Sequence, residues 1–326
     1  MHRLVLSFFL ALFLLAGSTV FAAEKGPERV YVGAHINDIQ EIDVHSHSYR
    51  LDLYVWYRWR NPAFDPAKTA EFMNSFDPND HVRTALYDKP QKMPDGSFYT
   101  IIRDQGKFSA KFPLQKYPFD QQQLVVSMED SLHPVSEQVY VPDDKAPAPV
   151  TRNAHINLPG FNIGAAAMEV VNFNYPTNFG DVTQPSAADY SRAVFSIPVS
   201  RPWETTGIKV FLPLLLIIFC TALVFFVHPV YIEGRLGVAI TALLTLVALQ
   251  LTSTSSLPDV DYLLMTDKIY LLSYLFIIAT LMQLVRDSRL VHEEKFDAVV
   301  ANDRRALVWL LVLFCAGTAL VALTTL

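Results

Sequence analysis

Residues 232–258 read IEGRLGVAITALLTLVALQLTSTSSLP, and the interpretation of this stretch decides how the rest of the chain is understood. Between Leu236 and Leu257 no side chain is charged. A helix of about 20 such residues crosses a bilayer. Its composition is nevertheless poor for facing oil. Gly237, Thr241, Leu244, Ala248, Leu251 and Ser255 recur at intervals of three or four and share one stripe. One turn inward the stripe meets Glu233, and outward it ends in the hydroxyl run Thr252–Ser256. A column of carboxylate, glycine, hydroxyl, leucine, alanine, leucine and hydroxyl suits a water-filled pore. The alternative is a core helix whose Thr and Ser side chains bond back onto their own backbone.

The flanking sequence favours the pore. The chain has 326 residues, of which 51% are hydrophobic, and the apolar residues are clustered. Uncharged runs occupy Leu4–Ala23, Val210–Val227, Leu236–Leu257, Ile269–Val285 and Ala306–Leu326. The first, behind His2 and Arg3 and ending in Val20-Phe21-Ala22, reads as a secretory signal over residues 1–22, with an uncleaved anchor as the competing reading. The other four predict membrane helices at about 205–227, 234–257, 266–286 and 305–326, so a four-helix transmembrane domain spans 204–326. Between the third and fourth lies a loop of about twenty residues carrying Arg286, Arg289, Lys295, Arg304 and Arg305, whereas Pro258–Lys268 carries only Lys268. The positive-inside rule assigns the former to the cytoplasm and everything before the first membrane helix to the outside.

Residues 23–203 form a polar, aromatic-rich outer segment. In Arg50–Arg60, Leu51, Leu53, Val55, Tyr57 and Trp59 alternate with polar neighbours, the period of a half-buried strand. Pro94-Asp95-Gly96 predicts a tight turn between two short strands, and Leu124–Met128 and Arg192–Val199 read as further strands. Pro142–Pro149 and Tyr175–Pro185 read as loops. The expected fold is an extracellular all-β immunoglobulin-like sandwich followed by the four helices. Both cysteines, Cys220 and Cys315, fall in membrane helices and are expected to be small apolar packers rather than a bridge. A net charge of -6 without a basic cluster argues against nucleic acid. No Ser-His-Asp order, phosphate loop or metal-spaced His/Cys cluster appears, so neither an enzyme, a cofactor nor a metal site is expected.

The segment Leu114-Gln115-Lys116-Tyr117-Pro118-Phe119-Asp120-Gln121-Gln122-Gln123-Leu124 resembles the signature loop of the pentameric ligand-gated ion channels, the Cys-loop receptor superfamily. Arg201-Pro202 before the first helix, Pro213 within it and Leu257-Pro258 after the second accompany it. Ala110 and Leu124 stand where animal members carry the bridging cysteines, as in bacterial members. The Trp-x-Pro-Asp motif of many animal members is absent, with NDHVRTALYDK at 79–89 instead, so the animal aromatic box is not carried over to this chain.

The resemblance implies a homopentamer in the inner (cell) membrane of a bacterium, its N-terminal domain periplasmic or extracellular, with the second helix lining the pore. Glu233 then forms a carboxylate ring favouring inorganic cations, unless it is an interfacial cap with Arg235. Arg235, about 200° around the helix, points away from the axis. Asp259 and Asp261 add negative charge at the outer mouth, and Leu244 is the candidate hydrophobic gate. Coupling to the outer domain is expected from Asp43 in the Glu41–Ser48 loop, from Tyr117, Pro118, Phe119 and Asp120, from Arg201 as partner of Asp120, and from Pro258. His45 and His47 read either as proton or metal sensors or as ordinary loop residues. By the same resemblance an agonist site lies between subunits. Glu129 and Asp130 in a turn after Leu124–Met128, with Tyr175, Phe179 and Tyr190 of a hairpin, face Trp56 of the neighbour. Acids beside aromatics suit an ammonium-bearing small molecule; the alternative is ordinary core aromatics and a solvated turn. A membrane-anchored sensor that never conducts is the competing function.

Overall fold

A computed structural model describes residues 26–180, 182, 187–255 and 257–325. The expected signal segment, 1–22, lies outside the described residues, as does Ser256. Twelve strands come first: β1 (Glu28–Asp43), β2 (Ser48–Trp59), β3 (Ala70–Phe72), β4 (Val82–Ala85), β5 (Gln91–Lys92), β6 (Phe98–Ser109), β7 (Gln121–Asp130), β8 (Gln138–Pro142), β9 (Val150–Arg152), β10 (Asn162–Ile163), β11 (Ala167–Tyr175) and β12 (Ala188–Ser200). They form a seven-stranded sheet, β4-β6-β2-β1-β8 with β5 on β6 and β9 on β1, and a five-stranded sheet, β10-β12-β7-β3 with β11 on β12. Side chains alternate along each strand, so each sheet has one apolar face. Those faces meet in one core containing Leu51, Leu53, Val55, Tyr57 and Trp59 of β2 with Val126 and Met128 of β7 and Phe195 and Ile197 of β12.

Two details refine the expected pattern. Asp52, on the polar face of β2, is buried, because Arg103 and Asn37 both donate to its carboxylate. The turn at Asp95-Gly96 joins a two-residue strand to a twelve-residue one, with Gly96 at φ +81°, a conformation that disfavours any Cβ.

Four helices follow: α1 (Trp203–Leu223), α2 (Ile232–Thr254), α3 (Met265–His292) and α4 (Phe296–Thr325). All are long and apolar enough to cross a membrane, and the chain is a multi-pass membrane protein. A 3-10 turn, Val224–Phe226, extends α1. The bounds of α2 shift two to three residues toward the N-terminus from those expected. The larger correction concerns α3 and α4. The predicted twenty-residue loop shrinks to residues 293–295, since α3 runs six residues further and α4 starts nine earlier. Hydropathy marks where a helix leaves oil; Arg, Leu, Ala and Lys propagate a helix well into water. The cysteines also differ from expectation: Cys220 and Cys315 are free, but both lie on exposed helix faces instead of packing in the bundle.

Candidate functional site

Helix α2 has two unlike faces. Arg235, Ala239, Ala242 and Leu246 are buried against the other helices, a seam spaced by three and four. Glu233, Gly237, Thr241, Leu244, Ala248, Leu251 and Ser255, the stripe predicted for a pore, are all exposed. Leu244 is 66% and Leu251 67% accessible, high for leucines beside a packed bundle. Thr241, Thr252 and Ser255 do bond back to backbone carbonyls, at 2.8, 2.9 and 2.8 Å. They do so from the exposed face, and each hydroxyl oxygen keeps acceptor capacity for water.

Arg235 points into the bundle as the helical angle requires, so it does not cap Glu233. Its Nη2 donates to Asp303 Oδ2 on α4 at 2.5 Å, and its Nε donates to the Val224 carbonyl at 3.0 Å. Asp287 of α3 is buried beside Asp303 and accepts from Gln283 at 2.8 Å. The N-terminal end of α2 is thereby pinned, with Glu233 turned the other way.

At the opposite end the β-sandwich meets the helices. The β1–β2 loop and the β6–β7 loop both descend to residues 257–265. Leu114, Leu257 and Leu264 form a small core joined by Val44, Tyr117 and Tyr262. The Leu114 N–H donates to the Tyr262 hydroxyl (3.0 Å), and the Met265 N–H to the Gln115 carbonyl (3.0 Å). Tyr117–Pro118 is a cis peptide, Pro118 is buried, and Phe119 reaches down to the Phe211 ring at 6.0 Å.

Asp120, 1% exposed, accepts from Arg201 Nε at 2.9 Å and from Gln122 at 2.6 Å, and the guanidinium lies 4.7 Å from the Phe161 ring centroid. Asp43 accepts from the Ser46 hydroxyl at 2.7 Å and from the backbone of His45 and Ser46, which shapes the loop. The Ser46 hydroxyl is the chief reason its carboxyl titrates below the usual range. His45 is an exposed loop residue, yet it donates to the Leu257 carbonyl at 3.2 Å, one residue before Pro258, which is half-buried. His47 packs on Phe112 instead. Among the described residues no group of His, Cys, Asp and Glu has the arrangement of a metal site.

The predicted agonist residues divide between two cavities. One of about 400 Å³ is lined by Glu129, Asp130, Tyr175, Phe179 and Tyr190 together with Glu71, Met73 and Ser131. Its rings cluster around Tyr175, with centroids 5.4 Å from Phe179 and 5.7 Å from Tyr190. Phe179 adopts φ +54°, a strained setting for an aromatic residue, and is 69% exposed.

The acids require a correction, because Glu129 and Asp130 end strand β7 and are buried rather than lying in a solvated turn. Glu129 accepts from Arg192 Nε (2.5 Å) and the Tyr175 hydroxyl (2.9 Å). Asp130 accepts from Thr69, His133 (2.8 Å) and two backbone N–H groups. Both carboxylates are thus committed within the chain. Glu71, which sequence reasoning missed, is the exposed acid at this cavity, and its side chain has no ion-pair or hydrogen-bond partner among the described residues.

Trp56 lies elsewhere, in a cavity of about 610 Å³ with Arg58, Tyr99, Asp143 and Lys145. Its indole lies against Gly33, where any Cβ would collide, and its Nε1 donates to Asp143 at 3.0 Å. One chain therefore carries two separate cavities, one on each sheet.

No family model matches the chain. Curated relatives do, at low identity. A glutamate-gated chloride channel subunit beta of Haemonchus contortus is 22% identical over 76% of this chain and 60% of its own length. The proton-gated ion channel of Gloeobacter violaceus is 21% identical over 77% of this chain and 70% of its own. The pH-sensitive chloride channel 2 of Anopheles gambiae is 20% identical over 73% and 42%. The chain thus spans less than two thirds of the length of the animal relatives it matches.

Proposed function

We propose, from this kinship with the pentameric ligand-gated ion channels, that five copies of the chain surround a cation-conducting pore lined by α2 and opened by an extracellular small molecule or by protons. The observation that carries the reading is the two-faced α2: a leucine-, threonine- and glutamate-bearing stripe exposed along a helix whose other side is packed. Five-fold assembly turns those stripes toward one axis. Glu233 rings the inner mouth, Leu244 narrows the middle until water leaves it, and Asp259 and Asp261 sit at the outer mouth. The relatives include anion channels, and selectivity for cations rests on the Glu233 ring together with the negative charge of Asp259 and Asp261.

The β-sandwich faces the periplasm or extracellular space of a bacterial inner membrane, consistent with the basic α3–α4 end. Agonist binding between subunits moves the β1–β2 and β6–β7 loops, and Asp120–Arg201, Phe119 and His45–Leu257 pass that motion to α1 and the α2–α3 loop. A small-molecule agonist that suits this site is an ammonium compound. The rings of Tyr175, Phe179 and Tyr190 attract the cation, Glu71 supplies the uncommitted counter-charge, and Trp56 of the neighbouring subunit closes the site.

The test is current across planar bilayers containing the purified protein, during steps of pH and a panel of primary and quaternary amines. Amine-evoked current that weakens at least tenfold in sensitivity in Glu71→Gln supports the reading. Pentamers that never conduct under any of these conditions refute it in favour of a binding protein.

A further inference from the structure

His81 sits in a slot built for a charged ring. It lies between a 3-10 turn, Pro78–Asp80, and β4, and its side chain is 10% exposed. Nδ1 is 2.7 Å from Asp104 Oδ1 and Nε2 is 2.8 Å from the Lys107 carbonyl oxygen, both on β6. Gly106, between those two residues, leaves the space that the ring occupies, since any Cβ there would collide with it. Both partners are acceptors. A neutral imidazole has one N–H and satisfies one of them; an imidazolium has two and satisfies both. Arg83 Nε of β4 approaches the other Asp104 oxygen at 3.7 Å, so one carboxylate serves two cationic groups. Asp80 of the preceding turn also faces the ring and is itself paired with Arg50 of β2. β3 presents the Phe72 ring, 6.3 Å away, and β6 the Phe108 ring, edge-to-face at 4.9 Å.

The slot lies behind one wall of the cavity that holds Glu71. β3 is three residues long, stands at the edge of its sheet and pairs with β7. Phe72 turns toward His81, so Glu71 and Met73 on either side of it turn toward the cavity, as the alternation of a strand requires. Ties from this segment to β4 and β6 converge on the slot. Arg83 Nη1 donates to the Ala70 carbonyl at 3.0 Å, and its guanidinium lies 5.3 Å from the Phe72 ring centroid. The Lys107 carbonyl accepts from the Phe76 N–H at 2.9 Å as well as from His81. Removing one proton from the ring sets a lone pair against either Asp104 or Lys107, and a buried mismatch of that kind loosens the segment.

We propose that His81 is a positioning residue for the agonist cavity, a latch worked by protons: charged, it holds residues 70–81 against β6 with Glu71 and Met73 in place; neutral, it lets them go. The latch rests on the reading of that cavity as the amine site, and it gives the site a regulator. Agonist sensitivity therefore falls as pH rises through the titration of His81, and by linkage a bound amine favours the protonated ring. Among the described residues His133, near the same cavity, meets an acceptor at Nδ1 alone, Asp130 at 2.8 Å, so its neutral form already satisfies that contact.

The experiment follows hydrogen exchange of the full chain in detergent from about pH 5.5 to 8.5, with rates corrected for the intrinsic pH dependence of exchange. Beside it, bilayer current is evoked by tetramethylammonium, whose charge does not titrate. In wild type, protection of residues 70–76 is expected to fall across that range, and the half-effective tetramethylammonium concentration to rise on the order of tenfold. His81→Gln should abolish both pH dependences. Asp104→Asn, which keeps the ring but puts a neutral acceptor beside it, should move both midpoints to lower pH, and His133→Gln should leave them where they are. An oligomer peak matching wild type verifies that each variant is assembled. Protection of residues 70–76 with the same pH profile in wild type and His81→Gln, or tetramethylammonium sensitivity whose pH profile survives that substitution, overturns the proposal. If tetramethylammonium evokes no current at any pH, the amine reading of the cavity fails, and exchange, which needs no ligand, decides the latch.

Discussion

The Asp120–Arg201 pair offers the sharpest test of how the two halves of the molecule are joined. Asp120 is 1% exposed and has two side-chain donors, Arg201 at 2.9 Å and Gln122 at 2.6 Å; Gln122 also donates to the Pro113 carbonyl at 2.9 Å. Arg201→Gln strands a buried carboxylate. Asp120→Asn offers one carbonyl oxygen to two donors; turning the Gln122 amide relieves that conflict only by breaking the bond to Pro113. Removing one member of a buried pair costs roughly 3–5 kcal/mol. Because the Arg201 side chain is 18% exposed, water compensates part of this, and about 2–3 kcal/mol is expected for each single substitution. That corresponds to a fall in melting temperature of roughly 4–12 °C for a domain of this size. The double variant should cost little more than either single one, a coupling of about 2 kcal/mol. Melting of the assembled protein followed by tryptophan fluorescence, alongside agonist dose–response curves, measures both effects. If the two single losses simply add in the double variant, the pair is not a unit and the coupling route through it is wrong.

Other outcomes follow from the same geometry. Glu233→Gln should move the reversal potential toward zero under a salt gradient, since the ring loses its charge; an unchanged potential removes the basis for cation selectivity. Leu244→Ser should produce current without agonist, because a hydroxyl ring stays wet where leucine does not; a normal closed state counts against a gate there. Asp303→Asn, which leaves Arg235 buried with its countercharge weakened, should cost roughly 3–5 kcal/mol and show as lost pentamer in size-exclusion chromatography. His81 titrates above its ordinary value: burial opposes its charge, but Asp104 at 2.7 Å and the Lys107 carbonyl at 2.8 Å outweigh it. A raised histidine contributes stability that is complete below about pH 6.5, its unfolded value, and is lost as pH rises through the folded one. Melting curves from pH 5.5 to 8.5 should therefore decline with pH in wild type and flatten in His81→Gln; equal slopes would exclude His81 as their source.

Local periodicity makes much of this molecule legible in its amino-acid sequence. The two-residue alternation of Leu51 to Trp59 sets the buried face of β2. The three-and-four spacing from Glu233 to Ser255 marks the exposed stripe of α2, and four uncharged runs announce four helices. Such patterns survive because each depends only on neighbours within a turn or two of the chain. Partner choice across the fold does not show in the same way. Glu129 reads as a free acid in a turn, whereas Arg192 and Tyr175, 63 and 46 residues away, claim it in the folded chain. Helix geometry correctly turns Arg235 from the axis, but Asp303, 68 residues on, gives it a reason to be buried. Glu71 carries no signal at all, being one glutamate in a three-residue strand. Sequence by itself determined which surfaces are oily and which repeat. The tertiary structure decided which charges remain unspent, because neutralising a buried charge depends on groups brought within hydrogen-bond reach only by folding.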